Sequence, residues 1–176
     1  MQPLLTRGDT ICPLFCFGTM ELTVEIENLV EPLLEKDQFL VNIIHKSGSG
    51  SGKLLVLVDS DTGLTIHDCA RISRKLSIEL ENRDYFDSNY LLEVSSPGID
   101  QPLQLIRQYL KNIGKKLRSH MLDGQEIEGK LTDVQKDFIR IEKGTLSGKQ
   151  KINKETLTVS FENIRLAKVL VSFSKY

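Results

Sequence analysis

The stretch from Leu91 to Leu103, LLEVSSPGIDQPL, limits the possible folds more than any other part of the chain. Leu91, Leu92 and Val94, with Glu93 between them, have the composition of a strand. Ser95-Ser96-Pro97-Gly98 then ends it. Pro97 fixes its own φ and holds Ser96 extended. Gly98 is expected at positive φ, as position i+2 of a type II turn requires. Asp100 is expected to accept hydrogen bonds from nearby backbone amides, and Pro102 stiffens the exit. These residues predict a rigid corner rather than a plain strand-to-loop connection.

The corner lies where the charge changes sign. Residues 1–102 carry 8 Lys/Arg against 16 Asp/Glu, a balance of −8. Residues 103–176 carry 15 against 8, a balance of +7. The overall charge of −1 conceals this split. Such asymmetry predicts two modules with different partners: a basic half suits phosphate, and an acidic half suits a basic protein. The simpler reading is that the two halves attract each other. A chain of 176 residues accommodates two small domains.

Residues 1–19 read as a disordered extension, with Met20 directly before a helical pattern. The LFCF run there is too short for a signal-peptide core. From Glu21, the residues Leu22, Ile26, Leu29, Val30 and Leu33 form one apolar stripe, and Pro32 is expected to kink the last turn. Residues 38–46 read as a strand with Phe39, Val41, Ile43 and His45 on one face. The loop at 47–52 is SGSGSG. Lys53–Val58 is apolar on both faces and reads as a central strand. Asp59-Ser60-Asp61-Thr62-Gly63 lacks the spacing of a calcium loop, so a turn with Asp59 and Asp61 bonding local amides is expected. Thr65 and Asp68 form a capping box opening a helix to about Asn82. Its buried stripe is expected to be Ile66, Cys69, Ala70, Ser73, Leu76 and Leu80. Arg71, Arg74 and Lys75 share another face. The strand beginning at Tyr90 completes a three-stranded sheet through a right-handed crossover.

Beyond the corner, Leu105–Lys111 reads as a short helix. Strands are expected at 115–121, 126–134, 138–142, 157–161 and 165–171, with an Asp123-Gly124 hairpin turn. Five short strands predict a small closed or nearly closed barrel. The fold class is therefore α+β: an N-terminal α-β-β-α-β domain over 20–102, then an SH3-like or Sm-like small β-barrel over 103–176. The polar loop 143–154 carries Lys143, Lys149, Lys151 and Lys154. With Lys115, Lys116 and Arg118 these are the RNA-binding candidates.

Cys12, Cys16 and Cys69 are an odd set without a disulfide framework, which points to a reducing compartment. Cys12 and Cys16 lack a second Cys/His pair at finger spacing, so no metal site and no cofactor are expected. No apolar run is long enough to span a membrane.

The VSSPGIDQPL motif, together with DSDTGLTIHDCARIS upstream, resembles the RimP family of bacterial ribosome maturation factors, whose signature is close to VSSPGLDRPL. The resemblance runs from about Glu21 to the C-terminus and is stronger in the first half. It implies a non-enzymatic, cytoplasmic, monomeric protein that assists assembly of the small (30S) ribosomal subunit. The implied partners are the free small subunit, its rRNA and a decoding-region ribosomal protein. The partner-binding candidates are Arg71, Arg74, Lys75, Ser95, Ser96, Pro97, Gly98, Asp100 and Gln101. Gln101 departs from the family pattern, which has arginine there. Two other readings compete. An Sm-like RNA chaperone fits the barrel but not the first domain. A serine hydrolase using Ser95 or Ser96 needs His67 or His120, with Asp100 orienting, and lacks a G-x-S-x-G elbow.

Overall fold

A computed structural model describes residues 13–46, 52–83, 90–145 and 153–170. The chain builds two sheets, each with its own apolar core. Helix α1 (Pro13–Val30) opens the first half and passes into a 3-10 turn, Glu31–Leu33, at Pro32. The helix is described from Pro13, within the stretch expected to be a disordered extension; residues 1–12 lie outside the described residues. The apolar stripe is as expected: Ile26, Leu29 and Val30 are buried, with Leu22 and Leu33 packed beside them.

Strands β1 (Gln38–Lys46) and β2 (Gly52–Ser60) pair antiparallel, and β2 pairs parallel with β3 (Tyr90–Ser95). Helix α2 (Ile66–Glu81) makes the crossover that a parallel pair requires. The strand apolar on both faces is the central one: Leu54, Val56 and Val58 lie in the core, and Leu57 is buried as well. The register of β1 slips between Leu40 and Asn42. A bulge reverses which face later side chains occupy. Phe39 and Ile43, expected on one face, therefore part company. Ile43 joins the first core, and Phe39 lies under the Arg107 guanidinium, 4.6 Å from the ring centroid.

Helix α2 starts on its expected capping box, with Asp68 N–H donating to Thr65 Oγ1 at 3.1 Å and Thr65 N–H to Asp68 Oδ2 at 3.0 Å. Its buried residues are Ile72, Leu76 and Leu80. Ile66, expected in that stripe, is 91% exposed, and Cys69, Ala70 and Ser73 are only half-buried. The helix meets the sheet along the line through Ile72, one residue round from the line the small residues indicated.

Helix α3 (Ile106–Lys111) opens the second half. The Gln108 side chain folds back to accept from the backbone amides of Gln104 and Leu105, at 2.8 and 3.1 Å, satisfying donors that a helix start leaves open. Strands β4 (Lys116–Met121), β5 (Glu126–Val134), β6 (Phe138–Thr145), β7 (Asn153–Ser160) and β8 (Ile164–Leu170) follow. A 3-10 turn, Phe161–Asn163, joins the last two. All pairings are antiparallel, in the order β7-β6-β5-β4-β8. Among the described residues the strands form an open sheet and not the closed form of the expected closed or nearly closed barrel, because β7 and β8 stand at opposite ends of that order without pairing. The Asp123-Gly124 hairpin is as expected: Gly124 has φ +85°, and Asp123 Oδ1 accepts from Gln125 N–H at 2.9 Å. Gly129 has a different role. A Cβ there would stand 2.5 Å from Ile141 Cγ2 and 2.6 Å from the Glu142 carbonyl oxygen, so only glycine fits between the strands.

Candidate nucleic-acid and partner interface

The two halves meet where α3 reaches the end of β2. Arg107 and Lys111 are one helical turn apart and project the same way. Arg107 Nε donates to Asp61 Oδ1 at 2.8 Å and its Nη2 to Asp61 Oδ2 at 2.6 Å. The same Nη2 donates to the Lys36 carbonyl at 3.2 Å. Lys111 Nζ donates to Asp59 Oδ1 and, at 3.0 Å, to the Ser60 carbonyl. The turn that presents these carboxylates is held from below by Asp37. Its Oδ2 accepts from Thr62 Oγ1 at 2.6 Å and Ser60 Oγ at 2.9 Å, and these hydroxyls hold the Asp37 carboxyl below the usual carboxylate range. The Arg107 hydrogen bonds do the same for Asp61.

Asp59 does bond a local amide, that of Ser60 at 2.9 Å. Asp61 does not; it faces Arg107, a residue 46 positions away. The clamp was missed because a DSDTG run is turn chemistry by composition. The available signal was the Arg107/Lys111 pair on a short helix, opposite an acidic loop.

The corner differs from its expected geometry. Gly98 is not among the described glycines with positive φ, which are Gly63, Gly114 and Gly124. The turn closes later, with Gln101 N–H donating to the Gly98 carbonyl at 2.9 Å, so Ile99 and Asp100 occupy its central positions. Asp100 is exposed and its carboxylate makes no hydrogen bond among the described residues, against the amide contacts expected of it. Ser95 Oγ donates to the Ser96 carbonyl at 3.3 Å. No described histidine hydrogen-bonds either serine, and His120 Nδ1 lies 3.5 Å from Glu126 instead. Cys69 sits beside the Ser96 amide; burial pushes its thiol up from the usual value.

A cleft of about 810 Å³ lies between the halves. Ser96, Pro97, Gly98, Ile99 and Gln101 line it from the corner, and Lys111, Lys115, Lys116 and Lys130 from the other side. Lys115 and Lys116 therefore face the corner, which joins two groups of predicted residues at one place. Lys115 Nζ donates to the neutral Asn112 Oδ1 at 2.9 Å.

Other candidates are placed apart or neutralised. Arg71 is a structural cation: it donates to the Leu33 carbonyl and Gln38 Oε1, both at 2.9 Å, and pairs with Glu35 at 3.1 Å. Arg74 and Lys75 remain exposed on α2, with Arg74 Nε donating to the Ala70 carbonyl at 3.2 Å. Arg118 is flanked by Glu126, at 3.1 Å, and Glu128. Lys143 and Lys154 belong to β6 and β7 and are register neighbours of Glu155 and Gly144, so the expected loop is shorter than 143–154. Lys149 and Lys151 lie outside the described residues, as does Cys12. Among the described residues no group of His, Cys, Asp or Glu is arranged to hold a metal. No described helix is long and apolar enough to cross a membrane.

Comparison with known proteins agrees with the motif. A family model described as the RimP N-terminal domain matches residues 29–100, from the end of α1 to Asp100 within the corner. A protein of Cytophaga hutchinsonii described as ribosome maturation factor RimP is 33% identical over 161 residues, covering 85% of this chain and 96% of that relative. Because 85% of this 176-residue chain is more than residues 1–102 can supply, the likeness extends into the basic half as well. The chain belongs to the RimP family of ribosome maturation factors.

Proposed function

We propose that this protein binds the free small (30S) ribosomal subunit during its assembly, contacting rRNA and a ribosomal protein of the decoding region. The family membership over nearly the whole chain carries this reading. The protein acts as a cytoplasmic monomer and makes or breaks no covalent bond. Its binding free energy biases an immature RNA population toward one arrangement. Residues 20–102 and 103–176 act as two domains. The strand order β8-β4-β5-β6-β7, with a 3-10 turn before the last strand, supports an SH3-like reading of the second. The basic balance of that half suits rRNA, and the exposed Arg74 and Lys75 with the corner suit the subunit's surface.

Sedimentation of tagged protein with small, large and joined subunits tests the proposal. Co-migration with free small subunits alone is expected. Co-migration with none, or equally with all, would overturn it.

A further inference from the structure

The cleft between the halves carries charge that the fold itself does not use. Lys111 is satisfied by Asp59, the only carboxylate among the described residues lining the cleft. Lys115 has a neutral partner. Lys116 and Lys130 are both exposed and make no ion pair or hydrogen bond among the described residues. They also stand directly opposite each other across the antiparallel pair β4–β5. Like charges in that relation destabilise a sheet. Glu142 is the register neighbour of Lys130 on β6, yet Lys116 has no acidic neighbour in either strand beside it: its partners are Lys130 and Leu170. Two residues further along the same pair, the Arg118–Glu128 opposition shows the usual arrangement.

The opposite wall has the complementary property. The corner presents Ser96 and Gly98, and a Cβ added at Gly98 would meet nothing within 4 Å. Backbone is thus open to close approach by a ligand. No aromatic ring among the described residues lines the cleft, so those residues give base stacking no platform there.

Resting on the ribosomal reading above, we propose that this cleft grips the sugar-phosphate backbone of single-stranded RNA, with Lys115, Lys116 and Lys130 on its phosphates and the open backbone at Gly98 facing the chain. A concave site of this volume encloses a short piece of one strand. Recognition through phosphate without stacking is tolerant of sequence and strongly salt-dependent.

The test uses the full-length protein and its Lys116→Gln, Lys130→Gln double variant. Binding of oligouridylate, oligoadenylate, an RNA duplex and polyglutamate is measured across a salt series, beside sedimentation with small subunits. The wild type is expected to bind both homopolymers alike and above the duplex and polyglutamate. The double variant is expected to bind roughly tenfold more weakly. Its slope of log affinity against log salt falls by about 1.4, two single-strand phosphate contacts. Its melting temperature stays the same or rises, because the opposed charges are gone; a merely structural role for these lysines would lower it. Unchanged affinity and slope in the variant, with wild-type binding to small subunits intact, would overturn the cleft and leave the ribosomal reading standing. Preference for duplex, for one homopolymer or for polyglutamate would overturn single-strand backbone recognition. Wild-type protein that binds neither RNA nor small subunits would overturn both.

Discussion

Arg107 and Asp61 form a two-point hydrogen-bonded ion pair, at 2.8 and 2.6 Å, that joins the helix opening the basic half to the turn closing the acidic one. The pair is planar fork to carboxylate, the arrangement that gives arginine its geometric specificity. The orientation of the halves is therefore set by α3 as well as by the corner.

Replacing Arg107 by Ala, or Asp61 by Asn, should leave both cores folded and widen the range of orientations between them. Small-angle scattering should report a larger mean radius for either variant, and the double variant should add little, since the two residues act as one unit. Asp61 has a folded value below its ordinary 3.8. Its contribution is complete above that ordinary value and is lost as pH falls through the lower folded one. The pair is partly exposed, so added salt should loosen it too. Identical scattering for wild type and variants would mean that the clamp has no influence on orientation.

Arg71 and Lys75 look alike in sequence and should behave differently. Arg71→Ala removes a side chain bonded to Leu33, Gln38 and Glu35, and should cost about 1–3 kcal/mol in urea unfolding. Lys75→Ala lies on the exposed face and should stay within about 0.5 kcal/mol. Equal effects would contradict the structural assignment of Arg71.

Gly129→Ala should destabilise by about 1–3 kcal/mol, because the added methyl meets a backbone oxygen that cannot yield without moving β6. Gly98→Ala should remain within about 0.5 kcal/mol, since its φ is ordinary and the space above it is open. Thermal melts of the two variants side by side check the contrast, and a reversed order would refute it.

Tyr109 is buried against Phe161, ring centroids 5.1 Å apart, and burial pushes its phenol up to about 12. The unfolded chain releases that proton near 10, so between these values the folded state holds more protons than the unfolded one. Stability should fall by about 2–3 kcal/mol as pH rises through this window. Tyr109→Phe should remove that alkaline dependence. An absorbance titration showing every tyrosine ionising near 10 in the folded protein would exclude it.

Much of the architecture could be read from the sequence because its elements carry strong local signals. The Thr65–Asp68 box, the doubly apolar β2 and the Asp123-Gly124 turn each specify their structure within a few residues. The departures have non-local causes. Nothing near Val41 announces the bulge that separates Phe39 from Ile43. Ile66 sits at the first turn of α2, where the apolar line of the helix has not yet reached the sheet. Gly98 looked like a left-handed glycine because it follows proline, but the turn formed two residues later, on Ile99 and Asp100. For the site, Lys115 and Lys116 were identified from charge alone. Lys130, Arg107 and Asp61 required knowing which strand lies opposite which, and which helix docks on which turn.

One backbone bond limits how the halves can move. Leu103 N–H donates to the Ala167 carbonyl at 2.8 Å, so the chain leaving the corner is stitched to the outer side of β8. From Leu103 onward the polypeptide travels with the second sheet, and up to Ser95 it travels with the first. Any pivot must therefore fall within residues 96–102. That stretch includes two rings that each lock a φ angle and a turn closed from Gly98 to Gln101. Few torsions are left there to rotate, so the joint behaves as a short stiff elbow with a limited arc.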